Sequence, residues 1–170
     1  MVTLAQAILV FVTLQRLFEL WLAQRNTRRL MARGAVEHAP GHYPAIVLLH
    51  AAWLIGLWYA ALTMPLEVST LGLLAFVILQ GLRVWVLATL GTRWTTRIIT
   101  LPGEPRITGG PFRFLSHPNY AVVIGEIAVL PATFGLYMFA LVFSLANAAV
   151  LTIRIRAENA ALDHAETASP

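Results

Sequence analysis

The side chains with the types and spacing to do chemistry fall in two short stretches of the C-terminal half of this sequence. One is Gly109 to Glu126, GGPFRFLSHPNYAVVIGE, which carries His117 and Tyr120. The other is Arg154 to Leu162, RIRAENAAL, in which Arg154 and Glu158 stand four residues apart and so share a helical face. Ser116-His117-Pro118-Asn119-Tyr120 reads as a helix start, because proline suits the first turn, where its missing N–H is not needed. Ser116 or His117 would precede it as cap, serine being the better capping type. The free N–H groups and the dipole of such an end make an anion site, suited to a carboxylate or phosphate. Gly109-Gly110-Pro111 lets backbone approach a ligand closely. The same residues also read as a plain loop-to-helix junction, and Arg154 and Glu158 as an interfacial arginine with its helix-surface partner.

The elements that must hold these residues are apolar. Of 170 residues, 58% are hydrophobic and 12% charged, which fits an integral membrane protein rather than a soluble domain. The absence of cysteine excludes disulfides, thiolate nucleophiles and Cys-ligated metals. No metal is expected from the scattered His38, His42, His50 and His164. All twelve basic residues are arginines placed mostly at the ends of apolar runs, so the basic balance does not indicate nucleic acid. The first run lacks the basic n-region and A-x-A site of a signal peptide. Neither G-x-G-x-x-G, Walker A, H-E-x-x-H nor G-x-S-x-G occurs, so a Rossmann or P-loop cofactor site is not expected.

Five apolar runs follow in order: Val2–Ala23, about Tyr43–Leu62, about Thr70–Leu90, Pro118–Pro131, and Phe134 through Arg154 into an amphipathic tail ending near His164. A span needs roughly 20 apolar residues, which the fourth run does not reach before Pro131, so it tilts, kinks or forms a tight hairpin with the fifth. The expectation is an all-α polytopic bundle of about five spans, with four as the fallback, forming a single membrane domain over 1–170. Residues 1–90 supply three spans, and 91–164 the loop, the last helical pair and the C-terminal helix. Arginine follows the first, third and fifth runs and is absent after the second and fourth. The positive-inside pattern then places the N-terminus outside and the 91–117 loop and C-terminus in the cytoplasm. Residues 165–170 are expected to fray.

Charges inside spans cost roughly 2.5–3.5 kcal/mol each on insertion scales, so each needs a partner or a task. Arg16 lies seven residues before Ala23, Arg83 seven before Leu90, and Glu126 eight after Pro118. At 1.5 Å rise per residue all three sit on the order of 10 Å below one membrane face, forming a common polar layer. Arg16 and Glu19 are three apart and can pair, as can Arg83 and Glu126 between helices. Trp21, Trp53, Trp58 and Trp85 read as packing or interface residues, whereas Trp94 opens the loop that carries the chemistry.

The run G-P-F-R-F-L-S-H-P-N-Y (Gly110–Tyr120), then Glu126, then R-I-R-A-E-N-A-A-L (Arg154–Leu162), resembles the isoprenylcysteine carboxyl methyltransferase family of integral membrane, S-adenosylmethionine-dependent enzymes. The similarity is concentrated between about Gly91 and Leu162, and the first two runs match only in hydropathy. The chain departs from the family pattern at Ser116, where an arginine is usual, and at Asn159, where a second glutamate is usual. The resemblance implies a non-Rossmann S-adenosylmethionine site at the cytoplasmic face. It implies cofactor contacts from Gly110, His117, Pro118, Asn119, Tyr120 and Glu158, and catalytic roles for Arg154 and Glu158. Arg154, Trp94 and Glu126 are expected toward the acceptor, which enters sideways from lipid.

Methyl transfer to an oxygen that is already anionic needs positioning and desolvation more than acid–base help. A carboxylate of ordinary pKa near roughly 4 is ionised at neutral pH, and orientation contributes at most roughly 7–11 kcal/mol. The leading expectation is therefore a bacterial inner-membrane O-methyltransferase acting on a lipophilic acceptor. An alkylpyrone from a polyketide synthase pathway is favoured over a prenylcysteine. N-methylation of a phospholipid amine is an alternative that needs a base, His117 or Glu158. A non-catalytic membrane subunit or lipid-binding protein is the alternative from another class.

Overall fold

The computed structural model describes residues 2–167, with side chains as far as Leu162 except that of His42. The side chain of His164, and residues 168–170 of the stretch expected to fray, lie outside the described residues. Five helices make up most of the chain: α1 (Leu4–Met31), α2 (Tyr43–Thr63), α3 (Thr70–Leu90), α4 (Pro118–Thr133) and α5 (Tyr137–Thr167). Their ends follow local chemistry. Thr3 and Gln6 form a reciprocal capping box at the start of α1. Ser69 accepts from the Gly72 N–H to open α3, and Gly91, at φ +52°, closes it.

Among the described residues four helices are long and apolar enough to cross a membrane, namely Leu4–Met31, Tyr43–Thr63, Thr70–Arg93 and Tyr137–Leu162. Their outward faces carry large exposed apolar side chains such as Phe11, Phe18, Ile55, Leu71, Ile78 and Leu145, as a lipid-facing surface would. The fourth run forms a helix of 16 residues, about 24 Å long at 1.5 Å per residue and below the usual spanning length. It resolves into a tight hairpin with α5: Gly135, at φ +74°, turns the chain, and the Leu136 N–H returns to the Pro131 carbonyl at 2.9 Å.

One feature corrects the all-α expectation. Val36–His38 (β1) and Ile98–Thr100 (β2) form a two-stranded antiparallel ribbon with Glu37 opposite Ile99. The β-branched Ile98, Ile99 and Thr100 suit extended backbone. Arg97 bonds Glu37 at 3.0 Å, and His38 Nε2 meets Thr100 Oγ1 at 2.7 Å. The segment read as a loop is thus folded onto the α1–α2 connection.

Along its length the bundle has three zones. At one end Leu9, Val12, Trp53, Leu57, Phe76, Ile127 and Leu130 form a closed apolar core. Here α3 and α4 approach closely, since a Cβ on Gly72 would come within 2.9 Å of the Thr133 backbone, the small-residue packing membrane helices favour. The polar layer crosses the middle. At the other end the ribbon, the 101–117 segment and the ends of α1, α3, α4 and α5 enclose a cavity.

Candidate active site

The middle layer has the composition expected from depth counting, with more partners than expected. Arg83 donates to both carboxylates, through Nε to Glu126 Oε1 at 2.8 Å, through Nη2 to Glu126 Oε2, and through Nη1 to Glu19 Oε2 at 3.1 Å. Arg16 likewise bridges Glu19, at 2.8 Å, and Glu126. Gln15 and Gln80 donate their amide N–H groups to Glu19 and Glu126. All four carboxylate oxygens therefore accept hydrogen bonds, and two arginines balance two glutamates. Glu126, expected toward the acceptor, is fully enclosed here and does not line the cavity.

The cavity measures about 850 Å³. It brings together Trp94, His117, Pro118, Asn119, Tyr120, Arg154 and Glu158, seven of the residues singled out from the sequence. Gly110 does not line it; this residue, at φ +57°, abuts Thr89 of α3, where any Cβ would overlap the threonine hydroxyl. Pro118 opens α4 with His117 as the cap residue. The histidine side chain makes no capping bond, and Ser116, the better capping type, is exposed. The imidazole instead stacks on Tyr120, with centroids 5.3 Å apart, and its Nε2 meets Asn159 Oδ1 at 3.0 Å. The departure at Asn159 thus supplies a partner for His117, and the start of α4 faces the cavity without a side-chain cap.

Arg154 and Glu158 do not pair directly. Arg154 Nε donates to the Tyr120 hydroxyl at 2.7 Å, and that hydroxyl donates to Glu158 Oε2. A second donation from Arg154, Nη2 to the Thr96 carbonyl at 2.8 Å, fixes the guanidinium to the segment before β2. Burial accompanies this, for Arg154 is only 7% exposed. Two groups are left over. Among the described residues Glu158 Oε1 accepts no hydrogen bond, and His117 Nδ1 stands 3.9 Å from it, beyond hydrogen-bond range. The Trp94 indole N–H is buried with no partner, although buried donors are ordinarily satisfied.

Three contributors were not anticipated. Thr96 acts through its carbonyl, which no side-chain pattern reveals. Asn26, 1% exposed at the end of α1, donates to the Gly91 and Trp94 carbonyls at 3.1 and 2.9 Å and so holds the cavity wall. Glu104 ties the rim together through Arg33 and Arg93. Asn26 carried one usable signal, its place seven residues beyond Glu19 on the same helical face.

Comparison with known proteins identifies the family of the C-terminal half. The sequence pattern of the isoprenylcysteine carboxyl methyltransferase (ICMT) family matches residues 70–164, from α3 through the cavity-lining part of α5. The chain is 36% identical over 158 residues to the uncharacterised protein YpbQ of Bacillus subtilis, covering 91% of this chain and 94% of that one. It is 25% identical over 158 residues to an uncharacterised protein of Haemophilus influenzae, covering 88% and 89%. No solved structure matches it. The chain belongs to the isoprenylcysteine carboxyl methyltransferase family, a family of methyltransferases.

Proposed function

We propose that this protein is an integral membrane S-adenosylmethionine-dependent O-methyltransferase. Its acceptor would be a lipophilic molecule bearing an anionic oxygen, a carboxylate or acidic enol. Its orientation would place the N-terminus outside and the cavity toward the cytoplasm, in a bacterial inner membrane. The observation that carries this reading is the Arg154–Tyr120–Glu158 chain lining a cavity large enough for a small molecule.

The residues fit the cofactor. A cavity of about 850 Å³ lies within the roughly 300–1,000 Å³ usual for small-molecule sites. Glu158, with Oε1 unused, suits an ammonium or ribose hydroxyls. The uncapped start of α4 suits a carboxylate. When bound, S-adenosylmethionine supplies a methyl group made electrophilic by its sulfonium. Arg154 is held by Tyr120 and Thr96 with Nη1 left free of the described residues, so it can fix an anionic oxygen. Its burial keeps that oxygen from water, which strengthens the contact. An acceptor of the alkylpyrone type, a polyketide lipid, meets these demands, as do other long-chain carboxylates.

The test is transfer of a labelled methyl group from S-adenosylmethionine into lipid extracts by the purified protein. The reading expects an apolar product, its label released by mild alkali if an ester is formed, and far less of it with Arg154→Ala. An alkali-stable methylamine would favour phospholipid N-methylation, with His117 as base. No cofactor binding by the folded protein would favour the non-catalytic reading.

A further inference from the structure

The Gly110–Leu115 segment was expected in water with the rest of its loop, yet its placement is different. Gly110 abuts Thr89, and from there the chain turns back along α3 until the Phe114 ring lies 6.4 Å from that of Trp85. Trp85 and Thr89, four apart, form one stripe of α3. Trp85 lies five residues before the end of α3 at Leu90, about 7.5 Å deeper at 1.5 Å per residue. Leu82, Val84 and Trp85 are all exposed on this outer surface, which is continuous with the apolar face of α3.

Phe114 and Leu115 are 73% and 51% exposed, an arrangement costly in water. The N–H groups of Phe112, Phe114 and Leu115 are all satisfied within the turn, by Gly109 and Pro111 carbonyls. Three fewer backbone donors would then need water at a membrane surface, which suits the headgroup–acyl boundary rather than the hydrocarbon centre. Exposed Arg113 stands next to them, as arginine does where anionic headgroups meet apolar surface.

We propose that Pro111–Leu115 is a wedge seated in the bilayer at the headgroup–acyl boundary, with Phe114 and Leu115 in lipid and Arg113 toward the headgroups. Phe112 and Ser116, on either side of the wedge, line the cavity. On the methyl-transfer reading, and in this respect resting on it, the wedge marks where a lipophilic acceptor passes from bilayer to cavity.

The sequence has no cysteine, so single-cysteine labelling is free of background. Phe114→Cys, Leu115→Cys and, as the exposed control on the same loop, Pro102→Cys would be labelled with an environment-sensitive fluorophore. Each full-length protein would be placed in phosphatidylcholine–phosphatidylglycerol vesicles. The wedge predicts blue-shifted emission at 114 and 115, quenched by lipids carrying a nitroxide high on the acyl chain, and iodide quenching at 102 alone. Iodide quenching at 114 and 115 without lipid quenching would overturn it. So would burial of these sites that disappears on dilution in the membrane, which would mean that a second copy covers them. The readout needs no turnover, so its failure is separable from failure of the methyl-transfer reading.

Discussion

Two assemblies of arginine and glutamate lie at successive levels of this molecule, and they differ in what they leave unused. In the middle layer Glu126 accepts from Arg16, Arg83 and Gln80, and both its oxygens are occupied. In the cavity Glu158 accepts, among the described residues, from Tyr120 alone, and its Oε1 accepts no hydrogen bond from them. The middle layer leaves Gln15 Oε1, Gln80 Oε1 and Arg16 Nε unpaired, but no charged oxygen. The cavity leaves a carboxylate oxygen with no hydrogen bond among the described residues, facing enough space for a small molecule, while the Trp94 indole N–H stays buried in its wall. Residues of the same types thus hold helices together at one level and remain available to a ligand at the other. Partner count, not residue type, separates the roles.

The largest effect should come from breaking the closed assembly. Glu126→Ala strips the shared acceptor from buried Arg83 and half-buried Arg16 and should cost about 3–5 kcal/mol of stability, read as a fall in the thermal midpoint in detergent. A midpoint near wild type would mean that the layer is hydrated rather than closed. In the cavity, Arg154→Ala should lower turnover by on the order of 10²–10³. Its thermal midpoint should fall less than that of Glu126→Ala, since cavity water can replace the lost contacts.

How much of this was legible in sequence follows the same division. The five helices and the α4–α5 hairpin follow from hydropathy, Pro131 and Gly135, which are local signals. The middle layer was legible because membrane helices convert sequence position into depth, which put Arg16, Arg83 and Glu126 level before any contact was known. The ribbon was not legible, because it joins two three-residue strands some sixty residues apart through backbone hydrogen bonds. Glu126 was misplaced toward the acceptor because it stands beside the His-Pro helix start in sequence, while its face of α4 turns toward α1 and α3. The bond from Tyr120 to Arg154 and the Asn26 clamp depend on how helices distant in sequence rotate, which spacing does not encode.

Smaller changes sharpen the contrast. Asn26→Ala strips the Trp94 carbonyl of its donor and leaves the Gly91 carbonyl with only the Trp94 N–H, and should cost about 1–3 kcal/mol, with weakened cofactor affinity because the cavity wall moves. Asn26→Asp, which cannot donate, should not rescue it. Trp94→Phe trims a buried ring of the cavity wall and removes an indole N–H that has no partner among the described residues, so it should cost about 0.5–3 kcal/mol of stability, read as a smaller fall in the thermal midpoint than that of Glu126→Ala. A midpoint equal to wild type would show that the ring does not pack closely against its neighbours.

The most direct measurement is calorimetric titration of S-adenosylmethionine into the wild type, Glu158→Gln and the middle-layer variant Glu19→Gln. The wild type should bind. Glu158→Gln, which keeps the Tyr120 contact and loses the charge, should bind on the order of 10–100-fold more weakly, and folded Glu19→Gln should bind as the wild type does. Failure of the folded wild type to bind, or wild-type affinity in Glu158→Gln, would contradict the assignment of this cavity to the cofactor.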